Sequence, residues 1–415
     1  MVLPPVGDDS DIDVIKALLL LNSRVWRGTR PTVVAAVQDS ENVAAARLAA
    51  GDTALVIDAD DIAVRLVAQS HRQTGLSSVF NELLSFVGNE FYLREEPALV
   101  GSTYGEALHA YELGVPVGLR RSAGEVLVNP AMDTVIGAGD QMILVAEDDL
   151  LIRPAETAPA IIESAITSAP SQPPTLDRTL LIGTTSRATK LVGLLDSFVE
   201  QGSVLDIASP QPPREELREG LENVTVGYKH CEPTRRSSLE ALDLGSYQHI
   251  VVLSDDTIAP GPADDRTLVT LLHLRDIEDR LGDPYSIVTE MNDDSNREVA
   301  QVTKADDFIV STKVITLLLT QLTENQNLYA VFTDLFDPEG SEIYLKPGSN
   351  YLVPGAKANF ATVIEAARRR GESAIGYRLA AHGDEPPTYG IFLNPSRTAP
   401  LVLSEADAVV VLAER

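Results

Sequence analysis

Cysteine, positive charge and long apolar stretches are all scarce in this sequence of 415 residues. Cys231 is the only cysteine, which excludes an internal disulfide and any zinc site built on cysteines, and which fits a reducing compartment. Basic residues number 33 against 61 acidic ones, so the formal net charge is −28. A chain this acidic repels nucleic acids and anionic lipids, whereas divalent cations and basic protein surfaces suit it as partners.

Membrane-spanning and secretory segments are also missing. The nearest approach to a membrane helix, VIKALLLL at 14–21, is shorter than the ~20 apolar residues needed to cross a bilayer. The first residues lack the basic and apolar regions of a signal peptide. We therefore expect a soluble, cytoplasmic chain that does not itself insert into a membrane.

Common catalytic motifs are absent as well. The sequence contains no G-x-x-x-x-G-K-[ST] loop, no G-x-S-x-G elbow and no H-E-x-x-H pair. Its six histidines show no spacing typical of metal ligands, and Cys231 has no evident base partner. These absences predict that the chain is not an enzyme.

A long internal duplication is the most prominent feature that is present. VFNELLSFVGNEFYL at 79–93 matches VFTDLFDPEGSEIYL at 331–345, and Asn129-Pro130 matches Asn394-Pro395. The offset between the copies drifts from 252 to 265 residues, as loop insertions would produce. One chain therefore carries two copies of a large unit and is not a short-period repeat protein.

Each copy alternates short apolar strands with helices and then becomes rich in strands. Unbroken apolar strands such as Val33–Val37 and Ser286–Met291 indicate a parallel sheet that is covered on both faces. The fold class is therefore α/β, with tandem nucleotide-fold (Rossmann-like) lobes, each followed by a small strand-rich α+β subdomain. Three strands and a turn at 178–256 have no counterpart in the first copy, which predicts an open sheet edge and self-association.

These patterns set the expected domain boundaries. Residues 154–176 are rich in proline, alanine and serine and predict an extended linker. The predicted boundaries are 1–153 for the first domain with its subdomain at about 89–153, and 177–415 for the second, with a lobe at 177–322, a crossover helix at 312–337 and a subdomain at 340–415.

A degenerate phosphate-binding turn follows the first strand of the second copy. A dinucleotide site needs G-x-G-x-x-G, but GTTSRA at 183–188 retains only the first glycine. Gly183, Ser186 and Arg187 are the candidate cofactor-binding residues, since a helix N-terminus can still contact an anion. The missing glycines argue against NAD and favour a scaffold without a nucleotide.

Acidic turns precede equivalent helices in both copies. Carboxylates clustered on a loop suit a hard cation, so calcium is the candidate ion. The same residues could instead cap their helices, where carboxylates favour the helix dipole. The candidate metal ligands are Asp11, Asp13, Asp255, Asp256, Asp264 and Asp265, with Asp8 and Asp9 in the same first turn.

The duplicated unit resembles the domain that regulates potassium conductance, known as RCK or TrkA-like. More narrowly, the chain is similar to the cytoplasmic part of the CASTOR/POLLUX ion channels and their bacterial relatives. The stretches that carry the resemblance include DIDVIKALLLL, TGLSSVFNELLSFVGNEFYL, GVPVGLRRSAGEVLVNP, GDQMILVAEDD, DDRTLVTLLHLRDIEDR and VFTDLFDPEGSEIYLKP, and they span nearly the whole sequence.

The resemblance implies a gating ring beneath a membrane pore. In that family, tandem domains of four subunits form a ring that couples a ligand, calcium in the plant proteins, to movement of monovalent cations such as potassium. It implies a homo-oligomer or a membrane pore subunit as partner, and a place at the inner face of the plasma membrane. A degenerate NAD(P)-dependent oxidoreductase and a soluble nucleotide-binding sensor are the alternatives.

Overall fold

The structure is a computed structural model of the chain. It describes residues 1–4, 10–51, 54–167, 176–183, 185–282, 285–296, 299, 307–337, 340–383 and 385–414. Asp8 and Asp9, which belong to the first acidic turn, lie outside the described residues. Within those ranges, no helix is long and apolar enough to cross a membrane.

The chain divides into two compact units, each made of the same part of both copies. The lobe unit contains Met1–Arg72 and Leu176–Tyr329, and the subdomain unit contains Gln73–Thr175 and Ala330–Arg415. The boundaries predicted from the sequence follow the repeat along the chain. The two compact units do not follow these boundaries, because the two lobes pack on each other and the two subdomains pack on each other.

A six-stranded parallel sheet forms the second copy's part of the lobe unit. The elements are β9 (Arg178–Ile182), α6 (Ala188–Phe198), β10 (Ser203–Ser209), β11 (Val224–His230), α7 (Arg236–Glu240), β12 (His249–Val252), α8 (Pro260–Leu281), β13 (Ser286–Met291) and β14 (Asp307–Val310). The strand order is β11-β10-β9-β12-β13-β14. From β9, successive strands add first on one side and then, from β12 onward, on the other, which is the change of order that defines a doubly wound sheet. The core of the sheet is largely apolar, with Leu180 and Ile250 both at 0% exposure, and the predicted Rossmann-like lobe is confirmed.

The first copy contributes a much smaller sheet to the same unit. The elements are α1 (Ser10–Ser23), β1 (Val33–Val37), α2 (Val43–Ala50), β2 (Ala54–Asp58) and α3 (Ala59–Ser70). The two parallel strands pair from Val33 with Ala54 to Val37 with Asp58. At the other edge of β1, the main chain of Val2 forms a short bridge to Ala35. Apart from that bridge, no described residue pairs with this edge, as the missing strands predict.

Both crossover helices are broken, which corrects the prediction of one continuous helix at 312–337. The first break is a turn that ends at Gly75, whose φ of 98° is left-handed and unfavourable for other residues. The second break follows Asn325, whose extended backbone ends the preceding helix. The resulting helix pairs are α3 with α4 (Leu76–Leu84), and α9 (Ser311–Glu324) with α10 (Leu328–Leu335).

The subdomain unit contains two antiparallel sheets of the same topology. The elements are β3 (Glu90–Glu95), α5 (Tyr104–Ala107), β4 (Tyr111–Leu113), β5 (Val115–Arg120), β6 (Val126–Val128), β7 (Gln141–Ala146), β8 (Arg153–Pro154), β15 (Glu342–Pro347), β16 (Ala358–Asn359), α11 (Phe360–Arg368), β17 (Ser373–Arg378), β18 (Ile391–Leu393), β19 (Pro400–Leu401) and β20 (Ala408–Ala413). The strand orders are β3-β7-β5-β6 and β15-β20-β17-β18, and each copy adds a two-stranded pair, β4-β8 or β16-β19. The shared order confirms that the two subdomains are copies of one unit.

The repeated Asn-Pro pair joins the two subdomains. Asn129 and Asn394 both have left-handed backbones, with φ values of 44° and 47°. The Asn129 amide donates to Gly371 O at 3.1 Å, and its carbonyl oxygen accepts from the Ser373 hydroxyl at 2.7 Å. Reciprocally, the Asn394 side chain accepts from Gly114 N at 3.1 Å. Each copy thus uses its asparagine to hold the other copy, which explains why the Asn-Pro pair occurs twice.

The first part of the predicted linker is attached to the subdomain unit. Ile162 N donates to the Thr362 hydroxyl at 3.1 Å, and Thr167 N donates to Tyr351 O at 3.0 Å. A single 3-10 turn, Glu163–Ala165, lies between these two contacts. Hydrogen bonds hold the segment on the surface over 160–167, and 168–175 lie outside the described residues.

Candidate functional site

A cleft opens at the carboxyl ends of β9 and β12, where doubly wound sheets bind ligands. Its empty volume is about 550 Å³, which includes open solvent at its mouth. Leu253, Pro210 and Pro233 are among its apolar lining residues, and Asp255 and Arg266 lie at its polar side. The cleft is therefore the natural candidate for a small-molecule site in the second copy.

Gly183 occupies the tight turn at the end of β9, as the sequence predicts. Its φ of 102° is left-handed, and a Cβ atom at this position would lie 3.0 Å from Leu253 O. Both the backbone angle and the approach of the neighbouring strand therefore require glycine. The residue shapes one wall of the cleft.

The anion-binding position of this turn is filled by a carboxylate of the chain itself. Asp256 Oδ2 accepts from Ser186 N at 2.8 Å and from the Ser186 hydroxyl at 2.5 Å. The Thr185 hydroxyl donates to the same oxygen at 3.0 Å. Ser186 thus contacts an anion, as its position predicts, but this anion is the side chain that follows β12 and is not a cofactor phosphate.

Arg187 joins the lobes of the two copies. Its guanidinium lies 2.9 Å from the buried Glu290 carboxylate and 3.8 Å from Asp60 at the start of α3. Burial alone would lower the pKa of Arg187, but the charges of Glu290 and Asp60 outweigh burial and raise it. Arg187 is therefore permanently charged and tied to two carboxylates, one from each copy.

Acidic side chains outnumber basic ones around this ion pair. Lys190 lies 2.7 Å from Asp61 and 3.6 Å from Asp58, so the start of α3 carries three carboxylates against the basic face of α6. Burial raises the pKa of Asp60 to about 6, against the attraction of Arg187 and with the help of Asp58 and Glu290. Neither Asp60 nor Glu290 stood out in the sequence, although a glutamate in the apolar strand SIVTEM is a usable signal.

Asp60→Asn should stabilise the protein at neutral pH. Because the pKa of Asp60 is about 6 in the folded protein and 3.8 for an unperturbed aspartate, stability is lost as the pH rises from about 4 to about 6. The side chain is 37% exposed, so solvent screening reduces the expected gain to about 1 kcal/mol above pH 6. Urea denaturation of wild type and variant between pH 4 and pH 7.5 measures this difference.

The control for that experiment is Asp61→Asn. Asp61 lies one residue along the same turn and pairs with Arg65 at 2.6 Å and with Lys190. Its removal should not stabilise the protein, because it loses favourable contacts. A gain of equal size in both variants, or a gain that does not depend on pH, would contradict the assignment of the raised pKa to Asp60.

Among the candidate metal ligands, Asp11 is buried and bound to the main chain. Its carboxylate accepts from Gln38 N at 2.8 Å, from Asp39 N at 2.9 Å and from the Asn42 amide at 3.0 Å. These donors follow β1, so the contact ties the start of α1 to the loop after that strand.

Asp264 makes the same contacts in the second copy. Its carboxylate accepts from Asn292 N and Asp293 N, both at 3.0 Å, and from the Asn296 amide at 2.8 Å. The recurrence of acidic residues in both copies thus has a structural cause. Two equivalent carboxylates hold equivalent loops, and their oxygens are directed at N–H donors.

The remaining candidates are spread over separate contacts. Asp13 pairs with Lys16 at 3.2 Å, Asp255 pairs with Arg266 at 3.3 Å, and Asp265 is exposed on α8. Helix α8 begins at Pro260, so Asp264 and Asp265 lie beyond its first turn. The capping interpretation is therefore corrected for these two residues, whereas Asp11 and Asp13 do lie in the first turn of α1.

These residues do not fit a calcium site as they are arranged here. Calcium needs six to eight oxygen ligands around one point. In the part of the chain that the structure describes, no three side chains of aspartate, glutamate, histidine or cysteine are placed to hold a metal ion. The calcium prediction thus draws no support from the described residues.

Comparisons with known proteins support the resemblance seen in the sequence. A sequence profile described as "Castor and Pollux, part of voltage-gated ion channel" matches residues 60–162. The chain is 28% identical to the probable ion channel POLLUX of Oryza sativa subsp. japonica, over 90% of the chain and 43% of that protein. It is 26% identical to the probable ion channel CASTOR of the same plant, over 99% of the chain and 50% of that protein.

The fold has a known counterpart among solved structures. The human SLO3 gating ring superposes with a TM-score of 0.69 at 13% identity, over 99% of this chain and 86% of that one. This likeness confirms tandem Rossmann-like lobes with strand-rich subdomains, the RCK fold. The chain spans about half the length of the curated relatives it matches. Its resemblance to the CASTOR and POLLUX ion channels is therefore confirmed.

Proposed function

We propose that this chain is the cytoplasmic regulatory region of a CASTOR/POLLUX-like cation channel, in which it forms part of a gating ring. The observation that carries the proposal is the similarity to the CASTOR and POLLUX ion channels over 90% and more of the chain. In this role the chain senses a ligand or ion and couples it to the movement of monovalent cations such as potassium.

The lobe unit supplies a means of coupling. Arg187 precedes α6 in the second copy. It forms ion pairs both with Glu290 in its own lobe and with Asp60 in the lobe of the first copy. Any ligand that favours one arrangement of the two lobes shifts their population toward it by its difference in affinity. A pore attached to either copy then responds to this shift in the arrangement of the lobes.

The partners of the chain follow from the same proposal. It assembles with further copies of itself into a ring of RCK-like domains, or it attaches to a membrane pore subunit at the inner face of the plasma membrane. The fold similarity to a gating ring supports assembly. The edge of β1, bridged by Val2 alone among the described residues, offers a surface for it.

The oxidoreductase alternative has less support. The matched relatives are named as ion channels, and the turn where a dinucleotide would place its pyrophosphate holds Asp256. The nucleotide-sensor alternative meets the same obstacle at the phosphate turn. Neither activity is favoured by a contact in the described structure.

Rubidium uptake tests the proposal. Cells that lack the gene for the protein carrying this chain should differ in uptake of radioactive rubidium from cells in which the gene is restored. Restoration with Arg187→Gln should give altered uptake, because the variant breaks the joint between the lobes. Restoration with Arg153→Gln, an exposed arginine, should behave as wild type. Identical uptake in deleted and restored cells would contradict a role in cation transport.

A further inference from the structure

The loop between α1 and β1 carries positive charge that the fold leaves unpaired. It reads RVWRGTR over 24–30, with three arginines in a chain whose formal net charge is −28. Arg24 and Arg27 are exposed and Arg30 is half-buried, and none of the three forms an ion pair with a described residue. We call residues 24–30 the basic loop.

Arginines that lie next to each other elsewhere in the chain have carboxylate partners. In the run at 368–370, Arg368 and Arg369 bond to Glu365 at 2.7 and 2.8 Å. Arg121 follows another arginine and bonds to Asp140 at 2.7 Å. The basic loop differs from these segments, because its charge is available to a partner outside the described structure.

The basic loop is held in place and carries an apolar tip. Arg30 donates to Asn22 Oδ1 at 3.1 Å, which ties the loop to the end of α1. The Arg24 guanidinium lies over the Trp26 ring, 4.8 Å from its centre, and Val25 between them is 90% exposed. Arginine and tryptophan beside an exposed aliphatic side chain are typical of a protein interface.

A protein partner suits this loop better than a membrane does. Lipid-binding clusters carry about four to eight basic residues, and the basic loop has three. An anionic bilayer also repels the strongly acidic chain to which the loop belongs. The partner that fits is therefore a protein surface with several carboxylates and an exposed apolar group.

The turn after β7 has this complementary composition. Glu147, Asp148 and Asp149 are consecutive, exposed and without an ion pair to a described residue, and Leu150 after them is 84% exposed. Asp148 accepts from Leu150 N at 2.8 Å, which fixes the turn. We call residues 147–150 the acidic turn. It offers three negative charges and one aliphatic side chain, and the basic loop offers three positive charges and one aliphatic side chain.

We propose that the basic loop of one copy of this chain binds the acidic turn of a second copy, with Val25 packed on Leu150. The charges select the partner and its orientation, and burial of the two aliphatic side chains adds affinity. Because the two patches differ, the contact is head-to-tail and generates a ring where the rotation between copies closes. The inference deepens the proposed function and rests on it, because it names the surfaces through which the copies assemble.

Reversal of the charges tests the inference by sedimentation velocity of the purified chain. Arg24→Glu with Arg27→Glu, the loop variant, should weaken association at least about tenfold, because carboxylates then face carboxylates. Glu147→Lys with Asp149→Lys, the turn variant, should have the same effect. A chain with all four changes should associate as wild type does, and so should an equal mixture of the loop and turn variants. High salt should weaken the association of wild type, because the charges are exposed.

The matched control is Arg214→Glu with Arg218→Glu. Both arginines are exposed and lie elsewhere in the lobe unit, so this variant has the same net charge as the loop variant and should associate as wild type does. The tested variants keep Arg30 and Asp148, which hold their own segments, and circular dichroism checks that each variant is folded.

Equal losses of association in the control and in the loop variant would overturn the inference, as would a folded chain with all four changes that stays dissociated. Binding of wild type to phosphatidylserine vesicles that the loop variant loses, with association unchanged, would assign the basic loop to a membrane instead. If wild type and the loop variant associate equally, this inference alone fails, and the proposed ring and the rubidium result stand. A wild-type chain that does not associate at all contradicts the proposed ring as well.

Discussion

Asp264→Ala should destabilise the protein by about 4 kcal/mol, because hydrogen bonds to a buried charged group contribute about 1.5 to 3 kcal/mol each. The carboxylate is fully buried and accepts from two backbone N–H groups and from the side chains of Asn292 and Asn296. Alanine leaves these donors without an acceptor in the interior. Urea denaturation of the full chain gives the change in the free energy of unfolding.

The same experiment separates a structural carboxylate from a calcium ligand. The loss in Asp264→Ala should be equal with millimolar calcium and with a chelator, since the oxygens of Asp264 are engaged by N–H donors. Asp265→Ala is the matched control and should change stability by less than about 0.5 kcal/mol, because this neighbour is exposed. A calcium-dependent stabilisation of wild type that disappears in Asp264→Ala would contradict the structural role and restore the metal site.

Gly376→Ala should cost about 3 kcal/mol through overpacking of a sheet. A Cβ atom at this position would lie 2.3 Å from Phe392 O and 2.9 Å from a methyl carbon of Leu393. The obstacle is a backbone carbonyl in the paired strand β18, which cannot move without disturbing the sheet. Gly118 holds the equivalent place in the first copy, 2.3 Å from Leu127 O.

The control for this substitution is Gly193→Ala. Gly193 lies inside α6 with nothing within 4 Å of the added carbon, so alanine should stabilise that helix by about 0.5 to 1 kcal/mol. Thermal melting of both variants shows the opposite signs directly. A neutral effect of Gly376→Ala would mean that the two sheets do not require glycine where their pairing register shifts.

Parallel strands were predictable because each one is a short, continuous apolar run. Strands Val33–Val37 and Ser286–Met291 have the bounds that the sequence predicts. The breaks in the crossover helices were not predictable, since the residues on both sides of each break keep a helical apolar pattern. Only Gly75 and Asn325 mark the interruptions, and single glycine or asparagine residues also occur within helices.

The candidate site was predictable only in part. Gly183 and Ser186 stand where the turn after the first strand places them, and the sequence predicts their contact with an anion. That the anion is Asp256 depends on the proximity of two loops 70 residues apart. The pairing of Arg187 with Asp60 depends on packing between the two copies, which no local pattern encodes.

The mass and shape of the assembled protein test the central claim most directly. Light scattering of the purified chain, followed by electron microscopy, should show a closed ring with a mass that is a multiple of 44.6 kDa and with two lobes per chain. A regulatory ring requires this closure. A single species of 44.6 kDa that persists over the whole accessible concentration range would contradict the claim that this chain builds a gating ring.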